Sequence, residues 1–284
     1  MLANVRQFPL AAPHAAVARA SSSHVWGLVL AGRPLGRGPA LMRRALDRAG
    51  RLVPDHRLVA VLCRQAAHEC APALADVPGM TQIVQPIYRG SAAELFLPVL
   101  VIARRDPNAL VVAFSAEEGA GHDARLLPSV QKAVRAVGMR PDLVLLVGGR
   151  PRTGRALDGW IEPGLPVEGL EDLAVRDIRR FVYEPAHRAP SSPPLLSTAA
   201  IVARARTLIA LGRRWVPEVL ETLEPLEAVA DAPEAGLLCE AIYECMPYAS
   251  LSRELLERGR DVAVLPVPEA MARSSYTDLA RLAS

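Results

Sequence analysis

The loop at residues 85–91 holds the most suggestive chemistry in the chain. Gln85-Pro86-Ile87-Tyr88-Arg89-Gly90-Ser91 closes one apolar stretch and opens a helical one. An arginine followed by glycine at a helix start brings together a guanidinium, backbone N–H groups and the positive end of a helix dipole. Gln85, Arg89, Gly90 and Ser91 are therefore candidates for holding an anion or the hydrogen-bonding edge of a guanine base. An ordinary strand-to-helix turn with Ser91 as N-cap uses the same residues. On residue types alone, that turn is the simpler reading.

Other reactive side chains lack a pattern. Cys63, Cys70, Cys239 and Cys245 form no CxxC pair and have no histidine cluster beside them. That argues against zinc and for buried free thiols in a reducing compartment. His56, His68 and His122 are isolated, and His187 lies in a Pro-rich loop. The basic residues are almost all arginine, with Lys132 the single lysine; the two are not equivalent at a tight phosphate site. Trp215, beside Arg213 and Arg214, reads as a helix-end residue packing on the core.

The elements that must position the loop follow a regular rhythm. Apolar runs at 25–31, 57–62, 81–85, 109–114 and 143–147 read as strands, and helical stripes at 40–52, 65–75, 91–102 and 126–137 lie between them. Strands alternating with helices at this spacing imply parallel strands joined by right-handed crossovers, a doubly wound sheet with the strand at 25–31 near its middle. Ligands then sit beyond the carboxyl ends of the strands. This directs attention to the loops at 32–39, 86–91 and 115–122. Further on, 175–183 reads as a strand, 187–194 as a Pro/Ser-rich loop, 198–214, 234–244 and 251–258 as helices, and 262–267 as a late strand.

Of the 284 residues, 51% are hydrophobic and 4% aromatic, so Leu, Val and Ala must fill the core. A net charge of +3 with dispersed arginines gives no footprint for nucleic acid. No stretch approaches the ~20 apolar residues of a membrane span, and residues 1–24 lack the apolar core of a secretory signal. A cytoplasmic protein is expected, with a disordered tail at 1–24 and one domain at 25–284.

The order of these pieces resembles the sugar-1-phosphate nucleotidyltransferases, and among them the bacterial mannose-1-phosphate guanylyltransferases. The resemblance spans about residues 25–282. Its most specific stretch is the 85–91 loop with Ala92-Ala93, followed by Leu97-Pro98-Val99-Leu100 and Arg105-Asp106-Pro107-Asn108-Ala109, similar to the family's nucleotide-contacting segment. Gly159-Trp160-Ile161 matches a family turn, and Val264-Leu265-Pro266-Val267-Pro268 its late strand. The resemblance implies a Rossmann-like mixed sheet of the nucleotide-diphospho-sugar transferase type. It also implies a reaction of nucleoside triphosphate with sugar-1-phosphate, assisted by Mg²⁺.

The departures fall on the residues that would run this reaction. The family's glycine-rich triphosphate loop is cut by roughly twenty residues, leaving Gly32, Arg33, Gly36, Arg37 and Gly38 to meet any phosphate. Glu117, in Phe114-Ser115-Ala116-Glu117-Glu118, stands where active relatives carry a metal-binding aspartate, and Ser274 where they carry the second. The family's Glu-Lys-Pro becomes Tyr183-Glu184-Pro185, and its Trp-Asn-Thr becomes Leu196-Ser197-Thr198. The resulting expectation is a catalytically inactive homologue that binds a nucleotide or a protein partner. Its nucleotide site would comprise Gln85, Arg89, Gly90, Ser91, Gly32 and Arg33. One alternative is an active transferase of altered site, with Mg²⁺ on Glu117. The other is a structural subunit, for instance a partner to an intact paralogue.

Overall fold

The computed structural model describes residues 24–32, 38–116, 123–149, 159–183, 195–228, 235–259 and 261–267. The first half alternates as β1 (Val25–Ala31), α1 (Gly38–Gly50), β2 (Leu58–Cys63), two short helices α2 (Arg64–Glu69) and α3 (Ala71–Ala75), β3 (Thr81–Gln85), α4 (Ser91–Arg105), β4 (Leu110–Ser115), α5 (Asp123–Met139) and β5 (Val144–Gly149). The second half adds β6 (Trp160–Pro166), β7 (Arg176–Val182), β8 (Leu195–Arg204), α6 (Ala205–Trp215), α7 (Pro217–Ala228) and α8 (Ala235–Cys245). A π-helical turn at Leu251–Leu256 and β9 (Val262–Pro266) complete the described part.

The nine strands form one mixed sheet in the order β3-β2-β1-β4-β8-β5-β9-β7-β6. Strands β1 to β4 pair in parallel. β8 then enters antiparallel between β4 and β5, β9 runs parallel to β5, and β7 and β6 continue antiparallel. β6 returns to pair with β8, so β8, β5, β9, β7 and β6 close on themselves as a small barrel. The expected α/β architecture with a mixed sheet is present. The doubly wound pattern describes the parallel half only, and the barrel replaces it in the other. β8, not β1, is the middle strand.

Two apolar layers cover the sheet, one on each face. One is built on α4, α6, α7 and α8, the other on α1, α2, α3 and α5. Every residue of α4 from Ala92 to Ile102 is buried, because the helix lies between the sheet and a further layer of helices. A helix apolar all round is what such a position requires. That enclosure fixes the start of α4 against the carboxyl end of the parallel strands.

β8 corrects the sequence reading of a helix over 198–214; the loop read at 187–194 lies outside the described residues. The strand runs through Leu195-Leu196-Ser197-Thr198-Ala199-Ala200-Ile201-Val202-Ala203-Arg204 before α6 begins. A strand buried on both faces shows no alternation, and a short apolar run of this kind is indistinguishable from buried helix by periodicity. The helix expected at 65–75 is broken at Cys70, where Pro72 opens α3.

At the amino ends of β1 and β4, Asp106 gathers three donors. His24 Nδ1 lies 2.9 and 3.0 Å from its two oxygens, Trp26 Nε1 donates at 3.1 Å, and the Asn108 amide at 3.0 Å. The motif at 105–109 thus ties two strand starts together at the end of the sheet opposite the ligand-side loops. Residues 1–23 lie outside the described residues.

Candidate functional site

β1 has β2 on one side and β4 on the other, and the chain's order reverses across it. A crevice outside the carboxyl ends of β1 and β4 is where such a sheet takes a ligand. Here one backbone donor at that position is bonded within the protein. Gly32, one residue past β1, donates its N–H to Glu94 Oε1 at 2.5 Å. Glu94 sits in the first turn of α4 and is only 7% exposed. A Cβ added at Gly32 would lie 2.7–3.0 Å from the three carboxyl atoms of Glu94. Glycine is what permits this approach.

The 85–91 loop begins at the end of β3. Gln85 is fully buried, and its Nε2 donates to the Tyr243 hydroxyl at 2.8 Å. Its Oε1 is buried with no hydrogen-bond partner among the described residues. Tyr243, on α8, is also fully buried. Burial pushes its phenol well up from the usual range, helped by the nearby charges of Cys239 and Glu94 and opposed by the Gln85 hydrogen bond. It stays a neutral hydroxyl.

Arg89 turns away from solvent ligands and toward α8. Its Nε donates to the Tyr243 carbonyl at 2.6 Å and its Nη2 to the Glu244 carbonyl at 2.7 Å. Those carbonyls belong to the last turn of α8, where a helix has acceptors without intrahelical donors and a negative dipole end. Gly90 has φ +93°, and a Cβ there would collide with the Ala249 carbonyl. The loop is stitched further by Ala92 N–H to Ala249 O at 3.1 Å and Ala249 N–H to Arg89 O at 3.2 Å.

Ser91 does not cap α4. Gly90 holds the N-cap position without a side-chain bond, and Ser91 Oγ instead accepts the Leu251 N–H at 3.0 Å. A residue already inside the first turn is a register too late to cap, so the hydroxyl serves a tertiary contact.

The structure brings Gln85, Arg89, Gly90 and Ser91 to one end of the sheet and joins them to residues 243–251. Gly32 lies at the crevice, bonded to Glu94. Arg33, Gly36, Arg37, Glu117, Glu118, Glu184 and Ser274 lie outside the described residues, so the phosphate turn and the metal position have no placement here. Among the described residues, no group of three His, Cys, Asp or Glu side chains is arranged to hold a metal ion.

On the far flank, Trp160 pairs with both Val182 and Leu196, and Leu196 lies opposite Gly149 at the end of β5. Tyr183 directly follows β7. Its N–H donates to Glu257 Oε1 at 2.6 Å, and the Arg253 guanidinium lies 5.2 Å from its ring centre. In the 196–198 segment, Thr198 Oγ1 donates to the Val147 carbonyl at 2.8 Å, and Ser197 Oγ accepts from the Ala199 N–H at 3.2 Å.

The described fold, an α/β unit with a mixed sheet, is shared with solved structures. A structure titled mannose-1-phosphate geranyltransferase, from Thermus thermophilus, superposes with a TM-score of 0.71 at 23% identity, covering 86% of this chain and 74% of that one. One titled mannose-6-phosphate isomerase from Helicobacter pylori gives 0.68 at 13% identity, over 86% of this chain and 97% of that one. A Bacillus anthracis structure described as a glucose-1-phosphate thymidylyltransferase in complex with a sucrose gives 0.52 at 13% identity, over 91% and 95%. No protein-family model and no curated protein matches the sequence. Among the described residues, no helix is long and apolar enough to cross a membrane.

Sequence reasoning missed Glu94, Tyr243 and Glu257. Glu94 left a signal: it is the one charge between Ala92-Ala93 and Leu95-Phe96-Leu97, and a carboxyl inside an apolar run must find a donor. Tyr243 and Glu257 left none, because their partners are distant in sequence.

Proposed function

We propose that this chain is a catalytically inactive homologue of the sugar-1-phosphate nucleotidyltransferases, nearest to the mannose-1-phosphate guanylyltransferases, that works by binding rather than by transfer. The observation that carries this reading is Glu94 buried against the Gly32 N–H. The donor an incoming phosphate would use is taken, and the group that took it is acidic. Arg89, the nearest guanidinium in the loop, is committed to α8.

What the site retains is an acceptor. Gln85 Oε1 is buried and unsatisfied among the described residues, and a base bearing an N–H, such as guanine, would satisfy it. In this reading Gln85 meets the base, Arg89, Gly90 and Ser91 shape the loop, and phosphates contribute little. Calorimetry with guanosine, GMP, GTP, GDP-mannose and mannose-1-phosphate, with and without Mg²⁺, tests it. Guanosine and GTP should bind within about threefold of each other, independently of Mg²⁺, and no pyrophosphate should form. GTP binding far more tightly than guanosine and needing Mg²⁺ would overturn the proposal, as would pyrophosphate release abolished by Glu117→Ala. If none binds at millimolar concentration, base binding is excluded, and the exposed Ile87 and Tyr248 beside the loop become the surface to test for a protein partner.

A further inference from the structure

We infer that residues 249–257 form a conformational relay joining the 85–91 loop to the end of β7. The inference is independent of which ligand, if any, the crevice takes. One end is fixed to the 85–91 loop: Ala249 exchanges backbone bonds with Arg89 and Ala92, at 3.2 and 3.1 Å, and Leu251 N–H reaches Ser91 Oγ at 3.0 Å. The other end is fixed to the end of β7, where Glu257 Oε1 receives the Tyr183 N–H at 2.6 Å and Arg253 covers the Tyr183 ring at 5.2 Å. The first anchor stands beyond the carboxyl end of β3 and the second at the end of β7. In the strand order, β2, β1, β4, β8, β5 and β9 lie between them.

The segment between the anchors is suited to two states. Leu251–Leu256 is π-helical, with the Glu257 N–H bonded to the Ser252 carbonyl at 3.0 Å. Such turns are rare and cluster at functional positions. A π turn accommodates one residue more than an α turn, so relaxing it to α geometry removes one residue's rise, about 1.5 Å, and its rotation, about 100°. Leu251, Leu255 and Leu256 are buried in the core, which makes the turn respond as a body. Anchors at both ends hold the wider turn open. Release of either lets it tighten, and the tightening displaces the other.

Amide hydrogen exchange read residue by residue tests the coupling. Ser91→Ala removes the acceptor of the Leu251 amide, and that amide should exchange faster. The relay requires the Tyr183 amide, at the opposite anchor, to speed up as well, by at least about threefold. Glu257→Ala removes the acceptor of the Tyr183 amide at the solvent-exposed end, where folding is not at risk, and should speed exchange at Ala92, Ala249 and Leu251. In both variants the β2 amides of Ala60 and Val61 should hold their protection within about 1.5-fold, showing an intact sheet. Faster exchange confined to the altered anchor in Glu257→Ala overturns the relay. So does a Tyr183 amide unchanged in Ser91→Ala while Leu251 is released.

Discussion

Replacing Arg89 with alanine should destabilise the fold before it affects any ligand. The guanidinium donates to two carbonyls of the last turn of α8, those of Tyr243 and Glu244. The bond to Tyr243 is partly buried, and its loss falls in the range of about 1.5–3 kcal/mol for a hydrogen bond to a charged group. The bond to Glu244 is exposed, so water replaces it at a cost of about 0.5–1 kcal/mol. Together they predict a loss of about 2–4 kcal/mol in unfolding free energy. Urea denaturation followed by circular dichroism would show it as a lower midpoint at unchanged slope. Arg89→Lys should recover less than half, because an ammonium cannot span both carbonyls with a planar fork. An Arg89→Ala protein within about 0.5 kcal/mol of wild type that lost guanosine binding tenfold would refute the reasoning. The guanidinium would then be a ligand group and its contacts to α8 incidental.

Two further outcomes follow from the titrating groups. Burial raises the Asp106 carboxyl, but the hydrogen bonds from Trp26, His24 and the Asn108 amide outweigh it and hold the group below its usual value. A depressed carboxylate stabilises the fold above its unfolded pKa of about 3.9 and loses that contribution as pH falls through the folded value. Asp106→Asn should therefore cost about 1–3 kcal/mol at pH 7 and progressively less below about pH 4; a cost unchanged between about pH 6 and pH 2.5 in urea titrations would contradict this. Among the cysteines, burial pushes the Cys239 thiol up to about 12 and raises Cys70, whereas Cys245 is exposed. A thiol-disulfide reagent at mildly alkaline pH should titrate one cysteine in the native protein and all four in denaturant, and mass spectrometry should place the fast label on Cys245; rapid labelling of Cys239 would show that its packing is misjudged.

The parallel half of the sheet was legible because each strand there ends at a turn signal and each helix carries a one-sided stripe. β1, β2, β3 and β4 fall within a residue or two of where the apolar runs place them. β8 was not legible: its identity depends on lying between β4 and β5, and neither neighbour is near it in sequence. At the site, the position of the 85–91 loop could be read from the helix it opens, but its role could not. Arg89 looks the same in sequence whether it faces a phosphate or the end of α8, and only the fold brings Tyr243 and Glu244 within its reach. Tyr183 was read as a replaced residue of the family's Glu-Lys-Pro motif; its backbone N–H proved to be a bonded group, something a side-chain comparison does not reveal.

The closure of β8, β5, β9, β7 and β6 also sets a limit on assembly. Each strand of that ring has partners on both sides, which leaves β3 as the terminal strand among the described elements. Unpaired strand edges are what allow sheets to join and, when two are available, to keep joining. Two copies meeting through β3 would satisfy each other's backbone donors and acceptors along that edge. On the far side, the ring pairs only the Trp160–Ile161 end of β6 to β8. It thus narrows the second edge among the described residues to Glu162–Pro166, where Pro163 and Pro166 withhold backbone donors.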